Sequence, residues 1–307
     1  MKKVAIIIVT WKGMKWIDQC ITSILQSQYP ATIFIIDNAS PDETPNYIAQ
    51  NYPEVKLIKS NKNLGFGKAN NIGIQQALKE NFDYFFLLNQ DAYIMPDTIN
   101  ELLKVDQNEE YAIISPIHMN GNGSHVDFYF RDFVLSKCSS FIDDSILNNT
   151  CNIYNSDFIP AAAWFIPKRT ILTIGGFDPL FFHYGEDDNY CYRVKYHKQK
   201  IVFTPHAKIL HDRESTVGNI QMYNWKKHYR YLVQDCCNIN LEWKYIIQKI
   251  GRQFYDDIGI FVTNLITGKW ASLHFFINDY IKLIVNIKRI KNSRTKNKKL
   301  NCNWLEL

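Results

Sequence analysis

The sequence predicts an α/β fold, in which a mostly parallel sheet is flanked by helices and followed by a helical C-terminal appendage. Short uninterrupted apolar runs such as Val4–Val9 and Tyr84–Leu88 are typical of strands buried on both faces. Between these runs, apolar residues recur three or four positions apart, which is the spacing of a helix face. Regular alternation of the two patterns indicates a parallel sheet with helices on both sides.

Strand and helix patterns alternate through the first 115 residues. The predicted strands are Val4–Val9, Thr32–Ile36, Val55–Ile58, Tyr84–Leu88 and Tyr111–Ser115. The predicted helices are Trp16–Leu25, a segment capped by Asp42 or Thr44 with Pro45 in its first turn, Lys68–Leu78 and Pro96–Val105.

The pattern changes after residue 115. Ile117–Ile159 is rich in Asn, Ser, Asp and aromatic residues, which suggests an excursion with short antiparallel strands. Further on, the sequence predicts helices at Lys168–Ile174 and Asn189–Lys198 and a strand at Lys200–Thr204 that His211 follows. From Ile220 to about Lys291 the periodicity is helical, and Gly251 and Gly268 are expected to divide this region.

Composition excludes several classes of protein. An apolar content of 46% over 307 residues argues against wholesale disorder. The seven cysteines are odd in number and form no CxxC pair, which argues against a disulfide framework or a zinc knuckle and favours a reducing compartment. Apolar runs fall far short of the roughly 20 residues of a spanning helix. We therefore expect a cytoplasmic protein that does not cross a membrane.

Positive charge is concentrated near the C-terminus. The net charge is +5, and residues 282–299 contain eight basic residues and no acid. Such a tail is compatible with anionic lipid or nucleic acid as a partner, and also with a solvated tail.

Polar residues follow three of the predicted strands. Thr10, Asp37 and Asp91 come directly after or at the ends of their strands, so they are expected at one edge of the sheet, where open α/β sheets bind ligands. A carboxylate there can hold a divalent cation that in turn holds a diphosphate. Taken alone, the Asp37-Asn38 pair is equally compatible with an Asx-turn. Gly65 and Gly67 would let backbone approach a ribose or phosphate, although a lone G-x-G is a weak signal.

Three consecutive acids, Glu186, Asp187 and Asp188, precede a predicted helix. Acids at a helix N-terminus are common because they complement its dipole, so a structural role is an alternative. Crowding of like charges would raise at least one pKa, as suits a base that takes a proton from a sugar hydroxyl.

An ordered set of motifs within residues 1–218 resembles glycosyltransferase family 2, most closely its rhamnosyltransferase-like branch from bacterial polysaccharide biosynthesis. The motifs are VTW, IIDNASPDET, NKNLGFGKANNIG, LLNQDA, GGFDPLFF, GEDDNYCYR and ILH. The resemblance implies a GT-A domain over residues 1–218, with a nucleotide-binding half (1–115) and an acceptor half (116–218). Residues 219–307 would form a helical region with a basic tail.

The resemblance also implies roles for individual residues. Those expected to contact the nucleotide are Thr10, Asp37, Asn38, Gly65, Lys68, Asn71 and Asn89. Asp91 and His211 would hold Mn²⁺ or Mg²⁺, and Gln90 stands where this branch usually has proline. Asp187 would be the catalytic base; Asp188 could compete, because Asn189 replaces the last acid of the E-D-x-D pattern. Expected contacts with the donor or acceptor sugar are Trp164, Glu186 and Asp188.

The function that the resemblance implies is inverting transfer of a sugar from a UDP- or dTDP-sugar to a saccharide acceptor, in O-antigen or capsule assembly. The acceptor could be linked to a polyprenyl diphosphate, and we expect no nucleic-acid partner. Alternatives are a sugar-1-phosphate nucleotidyltransferase and a sugar-nucleotide-binding protein without catalysis. The C-terminal apolar stripes either pack against protein or form an amphipathic anchor on the inner face of an anionic membrane.

Overall fold

The computed structural model describes residues 1–107, 110–213, 225–266, 273–301 and 303–305. The chain divides into two compact units. Unit 1 comprises Met1–Glu214 and Leu300–Leu307, and unit 2 comprises Ser215–Lys299. The expected boundary at residue 218 lies outside the described residues, and the last residues of the chain belong to unit 1 instead of the helical region.

Unit 1 contains a single mixed sheet in the part of the chain that is described. Its strands are β1 (Val4–Thr10), β2 (Thr32–Asp37), β3 (Lys56–Lys59), β4 (Tyr84–Asn89), β5 (Ala92–Ile94), β6 (Tyr111–Asn120), β7 (Tyr154–Ser156), β8 (Ala163–Pro167) and β9 (Lys200–His211). Its helices are α1 (Ile17–Leu25), α2 (Thr44–Asn51), α3 (Phe66–Lys79), α4 (Thr98–Val105), α5 (Phe128–Phe133), α6 (Ser139–Ile146), α7 (Lys168–Ile174) and α8 (Glu186–Tyr196).

The strand order is β3-β2-β1-β4-β8-β6-β9-β5, with β7 beside β9. The first four strands are parallel, as the alternation of strand and helix predicts. Strand β8 then runs antiparallel between β4 and β6. The α/β fold class is confirmed. The sheet is parallel where βαβ crossovers connect neighbouring strands, and the rest of it contains both parallel and antiparallel pairs.

Both faces of the sheet are buried, which is why its central strands are apolar without alternation. In β1, Ala5 and Ile7 belong to one hydrophobic core, and Val4, Ile6 and Ile8 belong to the other. Helices α3, α7 and α8 cover the first face, and α1, α2 and α4 cover the second.

The prediction of short antiparallel strands within residues 117–159 is confirmed only in part, by β7, which pairs antiparallel with β9. Strand β6 continues through Asn120 instead of ending at Ser115, and β7 is the one further strand described in this region. Nearly half of the remainder is helical, in α5, α6 and a short 3₁₀ turn at Leu135–Lys137. One aromatic residue of α5 packs inward: Phe130 is fully buried, with its ring 5.8 Å from that of Phe203.

Strand β9 is longer than predicted, and this changes the setting of His211. Strand β9 pairs with β6 along its length; its first part also pairs with β7, and its last residues also pair with β5, so that His211 is the partner of Ala92. His211 therefore lies on a strand beside the segment that follows Asp91, and not in a loop beyond Thr204.

Unit 2 consists of three described helices, α9 (Trp225–Cys237), α10 (Trp243–Ile266) and α11 (Leu273–Asn297). Helix α10 continues through Gly251, so that glycine does not divide the region as expected; Gly268 lies outside the described residues. No helix in the described part of the chain is long and apolar enough to span a membrane. Arg294 is buried and donates hydrogen bonds to the carbonyls of Cys236, Asn238 and Leu241, which removes it from the expected basic surface.

The C-terminal segment returns to unit 1. The Asn301 N–H donates to the carbonyl of Thr173, and the Gly176 N–H donates to the carbonyl of Asn303, both at 2.8 Å. A Cβ at Gly175, whose φ is +88°, would stand 2.1 Å from the Asn303 oxygen. The segment thus packs directly on the glycine turn that precedes helix α8.

Candidate active site

The ends of the parallel strands gather the predicted polar residues at one edge of the sheet. Thr10 is the register partner of Asp37, and Val9 is the partner of Asn89. Asp91 follows two residues after Asn89, before β5 begins. The expectation that these three loops share an edge is therefore confirmed.

Asp37 is a buried carboxylate held in a fixed orientation. Its side chain is 3% exposed, accepts a hydrogen bond from the Thr10 hydroxyl at 3.3 Å, and accepts another from the Ser40 N–H at 3.2 Å. Thr10 is itself fully buried, so it acts on this edge by orienting Asp37. An ionised carboxylate has about four acceptor sites, which leaves Asp37 able to accept further donors.

Asn38 shapes the loop before helix α3. Its Oδ1 accepts from the Leu64 N–H at 2.7 Å, while its Nδ2 donates to Asn63 Oδ1 at 3.0 Å and to the Gly65 carbonyl at 3.4 Å. The amide is buried and its hydrogen bonds go to these groups. Asn38 therefore stabilises the loop that is expected to contact the nucleotide.

The glycine of that loop is required by a contact within the protein. Gly65 has φ +81°, and a Cβ there would stand 1.9 Å from the Phe182 carbonyl oxygen. The Phe66 N–H also donates to this oxygen at 3.2 Å. The segment before the three acids is therefore bonded to the nucleotide-side loop. Lys68 is exposed in the first turn of α3.

Asn71 does not lie where the resemblance places it. It is buried within α3, where its amide accepts from the Phe177 N–H at 2.7 Å and donates to the carbonyls of Phe177 and Trp304. This side chain joins α3, the glycine turn and the C-terminal segment. The expected contact with a nucleotide is corrected to a structural role.

Gln90 links the first and fourth strand loops. Its Oε1 accepts from the Trp11 N–H at 3.0 Å, and its Nε2 donates to the Trp11 carbonyl at 3.1 Å. Proline, the usual residue of this branch, could make neither bond. Gln90, which replaces that proline, thus holds the loop after β1 against the loop that carries Asp91.

Asp91 and His211 form a close pair. His211 Nε2 lies 3.4 Å from Asp91 Oδ1, and Asn89 Nδ2 lies 3.5 Å from the same nitrogen. Burial raises the pKa of Asp91, but the hydrogen bond and positive charge of His211 and the charge of Arg213 lower it by more. The pKa of Asp91 therefore lies below its ordinary value, and the ionised form that metals require is favoured.

Two residues that sequence reasoning missed face the other side of the His211 ring. Arg213 Nε donates to His211 Nδ1 at 3.2 Å, and Asp127 Oδ2 lies 4.0 Å from that nitrogen and 3.2 Å from Arg213 Nε. Asp127 also caps helix α5 by accepting from the Phe130 N–H. Its sequence signal was an Asp directly before the aromatic run Phe128–Phe130, since Asp is among the residues preferred at an N-cap.

The arrangement fits a divalent cation shared between protein and ligand. Within the ranges that the structure describes, no group of three or more His, Cys, Asp or Glu side chains converges as a metal site. Asp91 and His211 bring one carboxylate and one imidazole to the same point. Cations such as Mg²⁺ are commonly held by one or two protein carboxylates together with substrate phosphates. The two residues present therefore suit a metal whose remaining ligands come from a diphosphate and water.

Asp187 is the second residue of helix α8 and keeps part of its surface exposed. Loss of solvent raises the pKa of Asp187, and the backbone N–H groups of Asp188, Ala161 and Gly185 oppose this shift without cancelling it. One of these bonds, from the Asp188 N–H to Asp187 Oδ1, measures 3.0 Å. A carboxylate with a raised pKa is a stronger proton acceptor than an ordinary aspartate.

A buried anchor fixes the start of α8. Arg193 donates to the carbonyls of Ile174 and Gly176, and the Tyr190 hydroxyl donates to the carbonyl of Gly175. Trp164 lies beneath this helix, fully buried, with its indole N–H bonded to the Ile159 carbonyl. Its ring stacks on that of Phe177, so the expected contact between Trp164 and a sugar is corrected to a core role. Glu186 is also buried, with its Cβ close to the Gly67 backbone.

Exposed aromatic rings stand immediately before the three acids. Phe182 is 60% exposed and Tyr184 is 58% exposed, although both belong to a loop that is bonded to the core. Tyr184 has φ +67° and Gly185 has φ +94°, so two successive residues adopt left-handed backbone conformations. A non-glycine residue held in this region marks a loop whose surroundings impose its shape.

The candidate site thus consists of the strand-end edge, the pair of Asp91 and His211, and the acids of α8. The chain that carries it can be compared with known proteins. The family model "Glycosyl transferase family 2" matches residues 5–168, which is more than half of the chain. The chain belongs to glycosyltransferase family 2.

Curated relatives of this family member are distant. A Haloferax volcanii protein named low-salt glycan biosynthesis hexosyltransferase Agl10 is 27% identical over 173 residues, covering 54% of this chain and 53% of its own length. A Mycobacterium tuberculosis protein named N-acetylglucosaminyl-diphospho-decaprenol L-rhamnosyltransferase is 23% identical over 252 residues, covering 73% of this chain and 81% of its own length. The chain thus spans about half the length of the first of these relatives.

Solved structures establish the GT-A fold. The crystal structure of GalNAc-T7 with UDP, GalNAc and Mn²⁺ has a TM-score of 0.58 at 16% identity, covering 80% of this chain and 49% of that one. At this level of identity the likeness concerns the fold, and it agrees with the sheet and helices of unit 1.

Proposed function

We propose that the protein is an inverting glycosyltransferase that moves a sugar from a UDP- or dTDP-sugar to a saccharide acceptor. The observation that supports this proposal most is the hydrogen bond between the loop before α3 and the loop before α8, from the Phe66 N–H to the Phe182 carbonyl. The nucleotide-side loop at Gly65–Phe66 contacts the Phe182 carbonyl, five residues before Asp187, the acid whose pKa is raised. This contact supports a single site that contains both the donor edge and the candidate base.

The donor would be held along the strand edge. Asp37, oriented by Thr10 and Ser40, can accept the imide N–H of a uracil or thymine base. Asp91 and His211 are the residues that would hold Mn²⁺ or Mg²⁺ against the diphosphate. When bound, such a cation offsets the charge on the leaving nucleotide diphosphate.

The acceptor would be activated by Asp187. Its carboxylate takes the proton of an acceptor hydroxyl while that oxygen attacks the anomeric carbon from the face opposite the diphosphate, which inverts the centre. Asp188 stays the competing candidate, because the two acids are adjacent and both keep partial exposure. The exposed rings of Phe182 and Tyr184 are suited to stack on acceptor sugar rings.

The biological setting that the relatives support is the assembly of a bacterial surface polysaccharide, such as O-antigen or capsule. One relative is named for action on a diphospho-decaprenol saccharide. An acceptor of that kind would place this enzyme on the inner face of the membrane as a peripheral protein.

A calorimetric test with UDP and dTDP, with and without Mn²⁺, addresses the donor site. We expect metal-dependent binding in the wild type and loss of that dependence in Asp91→Asn. Asp83→Asn is the matched control, since Asp83 lies at the opposite end of β4, where it accepts from the Lys3 N–H. Equal nucleotide affinity with and without Mn²⁺ in the wild type would contradict the proposal.

A second measurement addresses turnover. Slow hydrolysis of a panel of UDP- and dTDP-sugars, with water as acceptor, should release the sugar as the inverted anomer, which proton NMR identifies before mutarotation. Tight binding of a donor without any hydrolysis or transfer would favour the non-catalytic sugar-nucleotide-binding alternative. Formation of sugar nucleotide from sugar-1-phosphate and nucleoside triphosphate would favour a nucleotidyltransferase.

A further inference from the structure

Arg213 is bonded to the protein through only one of its nitrogens. Its Nε lies 3.2 Å from Asp127 Oδ2 and donates to His211 Nδ1 at 3.2 Å. Arg213 forms no other hydrogen bond or ion pair with the residues that the structure describes. The side chain is 32% exposed. Because the N–H groups of a guanidinium form a fixed fork, those on the two Nη atoms stay available to a ligand.

Arg169 shows how a comparable arginine of unit 1 is bonded when it serves the fold. It is 33% exposed and pairs with a buried aspartate, Asp106, as Arg213 pairs with Asp127. In Arg169, however, Nη1 donates to Asp106 at 2.7 Å and Nη2 donates to the Tyr111 carbonyl at 2.8 Å. An arginine that only neutralises a carboxylate favours such paired bonds. Neutralisation of Asp127 therefore does not account for the terminal nitrogens of Arg213.

A further contact holds the guanidinium of Arg213 in place. It lies over the ring of Tyr129, with 4.5 Å between the guanidinium carbon and the ring centroid. Tyr129 belongs to α5, the helix that Asp127 caps. Stacking on an aromatic ring and an ion pair at Nε both restrict the side chain, so less conformational entropy is lost when its Nη atoms bind a ligand.

Arg213 lies next to the pair that is proposed to bind metal. Nε2 of His211 faces Asp91 at 3.4 Å, and Nδ1 of the same ring faces Arg213. Burial raises the pKa of Asp91, and His211 together with the charge of Arg213 lowers it by more, so the guanidinium acts on the same point. A cation held there takes only some of the oxygens of a diphosphate. A guanidinium beside it suits the oxygens that remain.

We propose that Arg213 binds the diphosphate of the sugar nucleotide through its Nη atoms and stabilises it as the leaving group. This role rests on the transfer reaction proposed above. As the bond from the anomeric carbon to the β-phosphate oxygen breaks, its electrons stay on that oxygen, the acceptor oxygen forms the new bond, and Asp187 takes the acceptor proton. A fixed guanidinium stabilises the charge that the diphosphate gains. The ion pair with Asp127 keeps Arg213 in place when His211 binds metal.

Calorimetry with a nucleotide series tests the contact. UDP, UMP and uridine, and the matching thymidine compounds, are titrated into the full chain at Mn²⁺ concentrations that saturate each variant. Arg213→Ala should lower the affinity for the diphosphate by roughly 10–100-fold, because it removes charge-assisted hydrogen bonds, and leave the affinity for the nucleoside unchanged. Arg213→Lys should recover only part of the loss, since lysine keeps the charge without the fork. The kcat of donor hydrolysis should fall in Arg213→Ala as well.

Arg131→Ala is the matched control. The Nε of Arg131 lies 3.2 Å from Asp132, and its guanidinium lies over the ring of Phe128 at 5.2 Å, so it makes the same kinds of contact at an exposed position. This variant should bind UDP like the wild type. Circular dichroism verifies that each variant folds, and Arg213→Gln, which keeps a donor for Asp127, replaces the alanine variant if that one does not.

The outcomes separate a direct contact from an indirect one. If saturating Mn²⁺ restores wild-type UDP affinity to Arg213→Ala, the residue acts only through His211 and the metal, and the proposed contact is overturned. Equal losses for diphosphate and nucleoside would also overturn it, because they indicate a disturbed base site. If the wild type binds neither diphosphate more tightly than its nucleoside, the proposed transfer reaction itself fails. If the wild type makes that distinction and Arg213→Ala makes it equally, the reaction stands and only the role of Arg213 is excluded.

Discussion

Both units contain histidine beside aspartate, but the two sets of side chains have opposite settings. In unit 1, His211 pairs with Asp91, whose side chain keeps 22% of its surface exposed at the end of a strand. In unit 2, His228 lies between Asp257 and Asp279, and all three side chains are at most 7% exposed. The first pair can accept another ligand, whereas the second is closed by its own helices.

The difference shows how a structural acid is distinguished from a reactive one. Asp257 also accepts from the Tyr280 hydroxyl and the Gln253 amide, so its oxygens are used within the protein. Asp91 and Asp187 keep contact with solvent and have pKa values shifted by their surroundings, as is common at functional sites. Substitution of Asp91 or Asp187 should therefore reduce activity, and substitution of Asp257 should reduce stability.

The largest expected effect is on catalysis by Asp187→Asn. Loss of a general base should reduce transfer by about 10²–10⁴-fold while donor binding is unchanged. Because its pKa is raised, the acid limb of the wild-type kcat/KM profile should lie above the usual aspartate range, with activity lost as pH falls through it. Single-turnover kinetics and calorimetry measure the two effects. Asp188→Asn is the control, and a larger loss there would assign the base to Asp188.

Asp257→Ala should act on stability alone. Removing one partner of a buried ionic contact leaves the other uncompensated, at a cost of about 3–5 kcal/mol. Hydrogen exchange across residues 243–266 should report this loss, while donor hydrolysis per folded molecule is unchanged. Asp256→Ala, at the exposed neighbouring position, should have little effect. Equal effects of the two substitutions would show that the contact does not hold the helices together.

Asp127→Asn tests whether the surroundings of His211 matter to its metal role. His211 Nδ1 accepts from Arg213 in this structure, so binding metal through Nε2 requires the ring proton to move to Nδ1, where Asp127, 4.0 Å away, is the carboxylate that can accept it. Asparagine keeps an oxygen to cap α5 but loses the charge, so the affinity for Mn²⁺ in the presence of UDP should fall by about 10–100-fold. Electron paramagnetic resonance of free Mn²⁺ measures it. Asp132→Asn is the exposed control, and unchanged affinity in Asp127→Asn would exclude this role.

The smallest expected effect is that of Gln90→Pro, which restores the usual residue of the branch. It removes two hydrogen bonds to the Trp11 backbone, each worth about 0.5–1.5 kcal/mol net. UDP affinity should fall several-fold as the first loop loosens, whereas Gln90→Glu, which keeps one acceptor, should lie between. If the Gln90→Pro variant binds UDP as tightly as the wild type, the hydrogen bonds between Gln90 and Trp11 do not organise the edge that is proposed to bind the nucleotide.

The edge of the sheet where the parallel strands end could be predicted from the sequence alone, because the residues that indicate it are neighbours in the sequence. An apolar run that ends in a polar residue marks a strand and its carboxyl end, and parallel strands bring such ends together. Thr10, Asp37 and Asn89 met this condition, and the register confirms it. The helices α1 and α7 were predicted within one residue of their observed ends for the same reason.

Other roles depended on partners that are distant in sequence. Gln90 bonds a residue 79 positions away, and Asn71 bonds one 106 positions away, so neither side chain could be assigned from its own neighbourhood. Trp164 lies in a motif region yet is enclosed by Phe177 and Tyr190. In residues 117–159, aromatic residues suggested strands, whereas Phe130 is the buried residue of helix α5 and packs against Phe203 of the sheet.

The return of the C-terminal segment to unit 1 makes unit 2 an insertion within unit 1, and this affects how the protein is made. Residues 301 and 303–305 pack on the glycine turn before α8, so the support of that turn comes from residues that are synthesised after the whole of unit 2. A nonsense mutation or frameshift anywhere in unit 2 would remove this support together with unit 2. A ribosome that stops within unit 2 would thus release a chain in which the glycine turn before α8 lacks this packing.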